Sequence, residues 1–540
     1  MNPRRALFSI LLVSILIISI IGAGILNDSN GQIEVEELSI PYGETHLKAV
    51  LYLPKSSTEP LPGVVLAHGI SNSKETMTGI ALELSKRGIA ALSIDLIGHG
   101  GSGGTFGSGD PSLGMKSAGD YFRSKGNIDS EKIGVAGHSL GAGAARYVAF
   151  VGDVRATALI GGGIGDENIN SSYGEFSYSS PENLLVAVGQ FDILIEKETL
   201  LEKIQPAFPD GIVIGSTRGS FGNGTARKII TPKTIHLLEP VTPEIVRETV
   251  RWFETDLIEE DNKLDEGYNP TYHFREIFQT ISLIAFTGLA LPLSYIIKRP
   301  NHELEDVIPD FRMLTIYAGG GLLLFFPSVL VGSIIPFPPL IFGSGMALWL
   351  ALWGVGGLAY LYLTRKNRGI SGNLRELLDI DGLISGSTIF LVMYLISFGI
   401  EILTGINLKI VVPLFRAFSP IQRFIVFPSL IPFFYLHFAS EQLFFEKMSQ
   451  NLKDFILAKT GGLVSIIILQ YGALVLGSRV LPTFAGFLVE FLLAITPLLI
   501  LTCIYSWWFG LKKGSPTTAI TLNTLIISWA AAGLFPLGSF

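Results

Sequence analysis

The chain has 540 residues, 48% of them hydrophobic and only 16% charged, with a mean hydropathy of +0.47 and a net charge of −7. Soluble proteins are roughly a quarter charged, so this composition excludes a wholly water-soluble enzyme. A negative chain without a basic block also excludes an electrostatic footprint for nucleic acid. The single cysteine, Cys503, rules out an intrachain disulfide framework and any multi-cysteine metal site. The charge deficit is local: residues 301–540 hold 12 Asp+Glu and 14 Lys+Arg, against 34 and 25 in residues 1–300. The pattern predicts a water-soluble front half joined to a membrane-embedded back half.

In chain order, Met1–Arg5 carries two arginines and Ala6–Leu26 is an uninterrupted apolar run. At about 1.5 Å per residue this run crosses a hydrocarbon layer of about 30 Å. It exceeds the ~7–15-residue core of a cleaved leader, so it reads as a signal anchor (residues 1–29). Gly22, Ala23 and Gly24 leave cleavage as the alternative. In either case the arginines stay inside and the following segment is exported.

Residues 33–255 alternate short apolar strands with amphipathic stretches. Ile33–Leu53 reads as a hairpin turning at Tyr42–Glu44. Strands are predicted at Gly63–Ala67, Ala90–Ile94, Lys132–Ala136, Ala156–Ile160, Leu184–Val188 and Lys228–Ile230, with helices such as Glu75–Arg87 and Pro243–Phe253 between or after them. Near-continuous apolar strands suit a sheet covered on both faces, and the alternation implies a mostly parallel, doubly wound α/β sheet. In such a sheet the chemistry gathers at the carboxyl ends of the strands.

One of those ends carries a motif. Strand Lys132–Ala136 runs into Gly137-His138-Ser139-Leu140-Gly141, and Ala142–Ala145 then open a helix. This is G-x-S-x-G between strand and helix, a turn so sharp that its neighbours must be small and its serine is lifted clear. Ser139 is the candidate nucleophile. A serine needs a base and an orienting acid, which follow such an elbow in the order acid, then histidine. Asp192 lies just past strand Leu184–Val188. His236 alone among eight histidines lies after the last strand and before a terminal helix. An oxyanion would need backbone donors: the N–H of Leu140, and that of Ile70 in the loop His68-Gly69-Ile70. His68, Gly69, Gly137, His138 and Gly141 would shape the site.

These residues, with Asp95 and Gly98-His99-Gly100-Gly101-Ser102, stand in an order that resembles the α/β-hydrolase family over about residues 33–255. The resemblance implies an eight-stranded sheet, a serine hydrolase acting on esters, thioesters or amides, and a structural role for His99. Only Gly161–Asn183 separates two of the strands, where many lipases carry a large cap. The site is therefore expected to be open, as in lid-poor dienelactone-hydrolase-like and peptidase-like members.

Beyond a linker at 259–276, residues 277–540 offer apolar spans at about 277–297, 312–334, 339–363, 383–404, 424–445, 460–478, 485–508 and 517–536. With the N-terminus inside, the inner loops collect twelve Lys and Arg, and the outer loops only Lys409, Arg416, Arg423 and Arg479. That asymmetry follows the positive-inside rule and predicts a cell-membrane protein of nine spans, its domain at 30–258 on the outer face. Glycosylation triplets at Asn27, Asn170 and Asn223 agree with that side. The back half resembles no family. Ionisable groups are expensive in lipid, which singles out His437 and Glu441, four apart on one helical face, as an intramembrane polar site or an interhelical hydrogen-bonding pair.

The expectation is a multi-pass membrane serine hydrolase using an acyl-enzyme, without cofactor or metal. Its partners would be a small-molecule, lipid or peptide acyl substrate and membrane lipid. An acyltransferase with the same three residues is the alternative. A transporter or receptor with a non-catalytic hydrolase-like domain is the rival from another class.

Overall fold

The computed structural model describes residues 3–55, 60–164, 174–259, 270–297, 311–368, 377–446, 452–453, 456 and 496–538. They form two compact units. One comprises Ile20–Thr280 with Lys409–Pro413, the other Met1–Ser19, Ile281–Leu408 and Leu414–Phe540.

After helix α1 (Pro3–Asn27), the first unit is built on β1 (Ile33–Tyr42), β2 (Thr45–Pro54), β3 (Leu61–Ala67), α2 (Thr78–Ser85), β4 (Ala90–Ile94), α3 (Met115–Arg123), β5 (Ile128–His138), α4 (Leu140–Val151), β6 (Ala156–Ile160), β7 (Leu184–Ala187), α5 (Lys197–Ile204), β8 (Arg227–Ile230) and α6 (Pro243–Phe253). The eight strands form one sheet in the order β1-β2-β4-β3-β5-β6-β7-β8. The β1–β2 and β2–β4 pairs are antiparallel and the rest are parallel, as the sequence predicts. The expected helix at Glu75–Arg87 is divided into a 3-10 turn, Lys74–Met77, followed by α2.

Side chains alternate across a strand, and both faces of the central strands are dry. In β3, Val65 and Ala67 join a core with Phe122 of α3 and Ala144, Ala145 and Val148 of α4. Val64 and Leu66 join the opposite core with Ile80 of α2 and Ile245, Val250 and Phe253 of α6. Each large apolar side chain buried this way contributes roughly 1.5–3 kcal/mol. That two-sided burial explains why the strands read as continuous apolar runs rather than alternating ones.

The next helix, α7 (Tyr272–Gly288), starts inside the stretch read as a linker. Tyr272 is buried in the second core, and its hydroxyl donates to Val241 O at 3.2 Å. Lys409, tallied above with a short outer loop, is also buried. Its Nζ donates to Glu75 O at 2.9 Å and pairs with Glu276 Oε2 at 2.9 Å. Arg275 completes the cluster through Glu276 Oε1 (3.1 Å), Gln279 Oε1 (2.9 Å) and Asn27 Oδ1 (3.0 Å).

The second unit holds α8 (Phe311–Ile334), α9 (Gly343–Arg368), α10 (Ile380–Thr404), α11 (Ile421–Glu446) and α12 (Pro516–Leu534). Of the strands between α10 and α11, β9 (Leu408–Ile410) and β10 (Val412–Phe415), residues Lys409–Pro413 belong to the first unit. Counting α1 and α7, seven helices among the described residues are long and apolar enough to cross a membrane. That number is compatible with a multi-pass membrane protein. The span expected at 460–478 lies outside the described residues. The one at 485–508 is described only from 496, and there a helix runs into a π-helical turn at Ser506–Lys512.

Small residues let these helices approach closely. A Cβ on Gly354 of α9 would lie 2.5 Å from His437 N of α11, and one on Gly386 of α10 would lie 2.9 Å from Thr518 O of α12. Outward, Leu323, Leu363 and Leu403 are each at least 77% exposed, a surface that suits hydrocarbon rather than water. Arg423 is fully buried and donates from Nη1 to Phe535 O at 3.0 Å and to Ala532 O, occupying carbonyls left open at the end of α12.

Candidate active site

The site stands where β5 meets α4. Ser139 has φ 53° and ψ −113°, conformations that non-glycine residues enter only under strain. The strain is held by backbone bonds on both sides: Ser139 N donates to Ile160 O at 2.8 Å, and Ala142 N donates to Ser139 O at 3.0 Å. The turn works only because its neighbours lack side chains. A Cβ on Gly137 would overlap Gly141 O and lie 2.7 Å from Ala142 N. One on Gly141 would lie 2.6 Å from His68 O, and one on Gly162 would lie 2.7 Å from Ser139 O.

Three of the residues singled out in the sequence meet in one hydrogen-bonded line. Ser139 Oγ and His236 Nε2 are 2.9 Å apart, and His236 Nδ1 and Asp192 Oδ2 are 2.8 Å apart. With Asp192 accepting at Nδ1, the imidazole carries its proton there and Nε2 is free to accept from the serine hydroxyl. Asp192 and His236 are buried. The other Asp192 oxygen, Oδ1, accepts from Leu194 N at 2.7 Å and Ile195 N at 3.2 Å, which fixes the carboxylate. The N-cap position of the following helix, α5, is Glu196, so the bonds of Asp192 to Leu194 N and Ile195 N are made ahead of that helix and do not cap it.

Leu140 opens α4, so its N–H has no carbonyl one turn back within the helix. On the other side, the loop of His68, Gly69 and Ile70 abuts the serine: a Cβ on Gly69 would lie 3.2 Å from Ser139 Cβ. His68 is buried with Nε2 accepting from Leu96 N at 3.1 Å and Nδ1 beside Gly69 O at 2.7 Å, which assigns its proton to Nδ1. Asp95 stitches the floor of this loop, accepting from Lys74 N (2.7 Å), Gly101 N (2.8 Å) and Lys74 Nζ (3.3 Å). His99 is buried beside it, its ring centroid 5.3 Å from that of His68.

His138 is buried beside His236, their ring centroids 4.8 Å apart. Its Nε2 lies 3.1 Å from His236 O and 3.2 Å from Glu239 Oε2. Burial, and then the neighbouring His236, hold its imidazole well below the usual histidine range, hence neutral. Glu239 was not foreseen in the sequence. It lies in the 3-10 turn His236–Val241, where positions three apart share a side, and that spacing is the signal it offered. The carboxylate is buried, accepts from Gly189 N at 2.6 Å and stands 3.6 Å from His236 Nδ1.

Among the described residues, the one grouping of three metal-ligating side chains is His138, His236 and Glu239, with ligand atoms within 4.8 Å of one another. His236 Nδ1 is already committed to Asp192 and His138 Nε2 to a carbonyl, so the chemistry of this set is hydrogen bonding. The second candidate pair, His437 and Glu441, is buried on α11 with Nε2 and Oε1 3.9 Å apart and the Trp353 ring 5.1 Å from that of His437. Of the segment expected to be short and lid-poor, residues 165–173 lie outside the described residues.

No curated protein sequence matches the chain. Among solved structures it is similar to a bacterial heroin esterase (17% identity, 42% of this chain and 85% of that one, TM-score 0.31). It is also similar to the dienelactone hydrolase of Anabaena variabilis (22%, 42% and 99%, 0.31) and to an esterase of Pyrococcus furiosus (17%, 43% and 96%, 0.33). A family model described as "Alpha/beta hydrolase family" matches residues 64–278. With the eight-stranded, mostly parallel sheet and its helices on both faces, these residues are an alpha/beta hydrolase domain.

Proposed function

We infer that the protein is a membrane-bound serine hydrolase that cleaves an ester, thioester or amide through an acyl-enzyme, its hydrolase domain at the outer membrane face. The observation that carries this reading is the Ser139–His236–Asp192 line at a strained strand-to-helix turn. Ser139 Oγ attacks the substrate carbonyl carbon and passes its proton to His236 Nε2, while Asp192 steadies the imidazolium through Nδ1–H. The N–H groups of Leu140 and Ile70 receive the oxyanion, each such donor worth ~2.7–4 kcal/mol. Collapse expels the leaving group with the proton from His236. Water then attacks the acyl-enzyme, gives its proton to Nε2, and the second collapse returns that proton to Ser139 Oγ. His68, Gly69, Gly137, His138 and Gly141 shape this space without touching the reacting atoms. The cationic asymmetry of the loops supports the orientation, and the exposed apolar helices support a substrate met at the membrane surface.

The test is fluorophosphonate labelling of the purified full-length protein beside Ser139→Ala and His236→Ala. Labelling that disappears in both variants is expected. Equal labelling of Ser139→Ala, or a folded wild type that does not label, overturns the reading.

A further inference from the structure

We propose that Glu239 is the positioning residue of this site and a second orienting carboxylate for His236. The proposal rests on the serine-hydrolase reading above and adds a residue to it. One buried carboxylate reaches all three loops that carry the reacting groups. Through Oε1 it accepts from Gly189 N, and Gly189 O in turn accepts from Asp192 N at 3.1 Å, so it holds the loop of the acid. Its Oε2 stands 3.2 Å from Nε2 of His138, next to the serine, a nitrogen whose proton is shared with His236 O. Its own 3-10 turn begins at His236. The chain makes room for it: Gly161, at φ +56°, would place a Cβ over Glu239 Oε2 and 3.2 Å from His236 Cε1.

The groups facing His236 are Asp192 from the β7 loop, His138 and Ser139 from the elbow, and Glu239 from its own turn. Asp192 and Glu239 are thus the two carboxylates beside Nδ1. A second acceptor, 3.6 Å from Nδ1, keeps the proton on that nitrogen if Asp192 loses its charge, preserving the tautomer the serine needs.

The rate of fluorophosphonate labelling of the full-length protein tests this. Glu239→Gln keeps an acceptor for Gly189 N and puts an amide NH2 in place of Oε2, the acceptor near Nδ1. Asp192→Asn is expected to lose about 10²-fold in rate, where loss of the only orienting acid costs about 10⁴-fold through the wrong tautomer. The double variant should lose about 10²-fold more. An Asp192→Asn rate equal to that of the double variant overturns the proposal and, in a wild type that labels, leaves the serine reading standing. If the double variant fails to fold, the Asp192→Asn rate alone decides: a loss near 10²-fold supports it and one near 10⁴-fold overturns it. A wild type that does not label removes both.

Discussion

Replacing Gly141 by alanine probes whether the elbow is built as tightly as its geometry implies. A Cβ there would overlap Ala67 O and stand 2.6 Å from Ala67 C and from His68 O, against about 3.4 Å for ordinary contact. The shortfall is at least about 0.8 Å, and all three obstructing atoms are backbone. Ala67 ends β3, which is hydrogen-bonded to β4 on one side and β5 on the other, so the strand cannot give way. The first turn of α4 must then retreat from the His68–Ile70 loop by most of that distance. Overpacking of this kind costs about 1–3 kcal/mol, while alanine recovers up to ~1 kcal/mol over glycine in a helix. The net change in stability is therefore about 1 kcal/mol, small beside the effect on geometry: a displacement near 1 Å at reacting groups costs about 10²-fold in rate. The assay is the second-order rate of fluorophosphonate labelling, with a thermal melt of the same sample. Gly126→Ala serves as the control, because nothing lies within 4 Å of its added Cβ. Gly141→Ala is expected to label about 10²-fold more slowly with a melt shifted by only a few degrees. Labelling within twofold of wild type would refute the reasoning.

Ser139 sits at positive φ, so Ser139→Gly should release strain that Ser139→Ala retains. The glycine variant is expected to be more stable by about 1 kcal/mol in thermal melts, and equal stabilities would contradict it. Burial pushes the Asp256 carboxyl up to about 6, against the pull of Arg155 Nε at 3.4 Å. The fold therefore keeps a proton that the unfolded chain releases near pH 4, and stability falls as pH rises from about 4 to about 6. Asp256→Asn should flatten that slope and gain about 1–2 kcal/mol at pH 7 after allowance for solvent screening around Arg155; hydrogen exchange in β7 and α6 that keeps the wild-type pH slope would refute it. Tyr272→Ala removes a buried ring that packs on Gly79 and should cost the hydrolase unit about 3 kcal/mol; unchanged exchange in α2 would refute it.

The central strands were legible because they are buried on both faces, which makes them apolar along their length and easy to delimit. Ser139 was legible because a sharp turn imposes local composition, and local composition is what a sequence displays. Asp192 and His236 could be found from their places after strand ends, since topology brings those ends together. Glu239 offers only its three-residue spacing from His236 as a local signal, because its importance lies in reaching Gly189 and His138, 50 and 101 positions away, and that spacing does not encode those contacts. The 3-10 start of the Glu75–Arg87 stretch was missed for a related reason. Lys74 N is taken by Asp95 Oδ1, a bond from another strand's end that tightens the first turn.

Lys409 and Tyr272 point to a consequence for how the two halves of the sequence divide the work. Both fall outside the 30–258 stretch that composition marks as the soluble domain, yet both are buried within the hydrolase unit. Lys409 Nζ donates to Glu75 O, and the adjacent Lys74 binds Asp95 beneath the His68–Ile70 loop. The chain thus ties the stretch beside the His68–Ile70 loop to a residue that arrives 334 positions later in the sequence. A lysine and an arginine buried beside Glu276 are held by paired charge, and removing one partner of such a group typically costs about 3–5 kcal/mol. A soluble piece ending at residue 258 would lack Tyr272, Arg275, Glu276 and Lys409 together. It would be a hydrolase domain stripped of its own packing, and poor turnover by it would carry no information about what the back half does. The informative comparison keeps residues 20–280 and 409–413 intact and varies only the outward apolar faces, such as Leu323, Leu363 and Leu403.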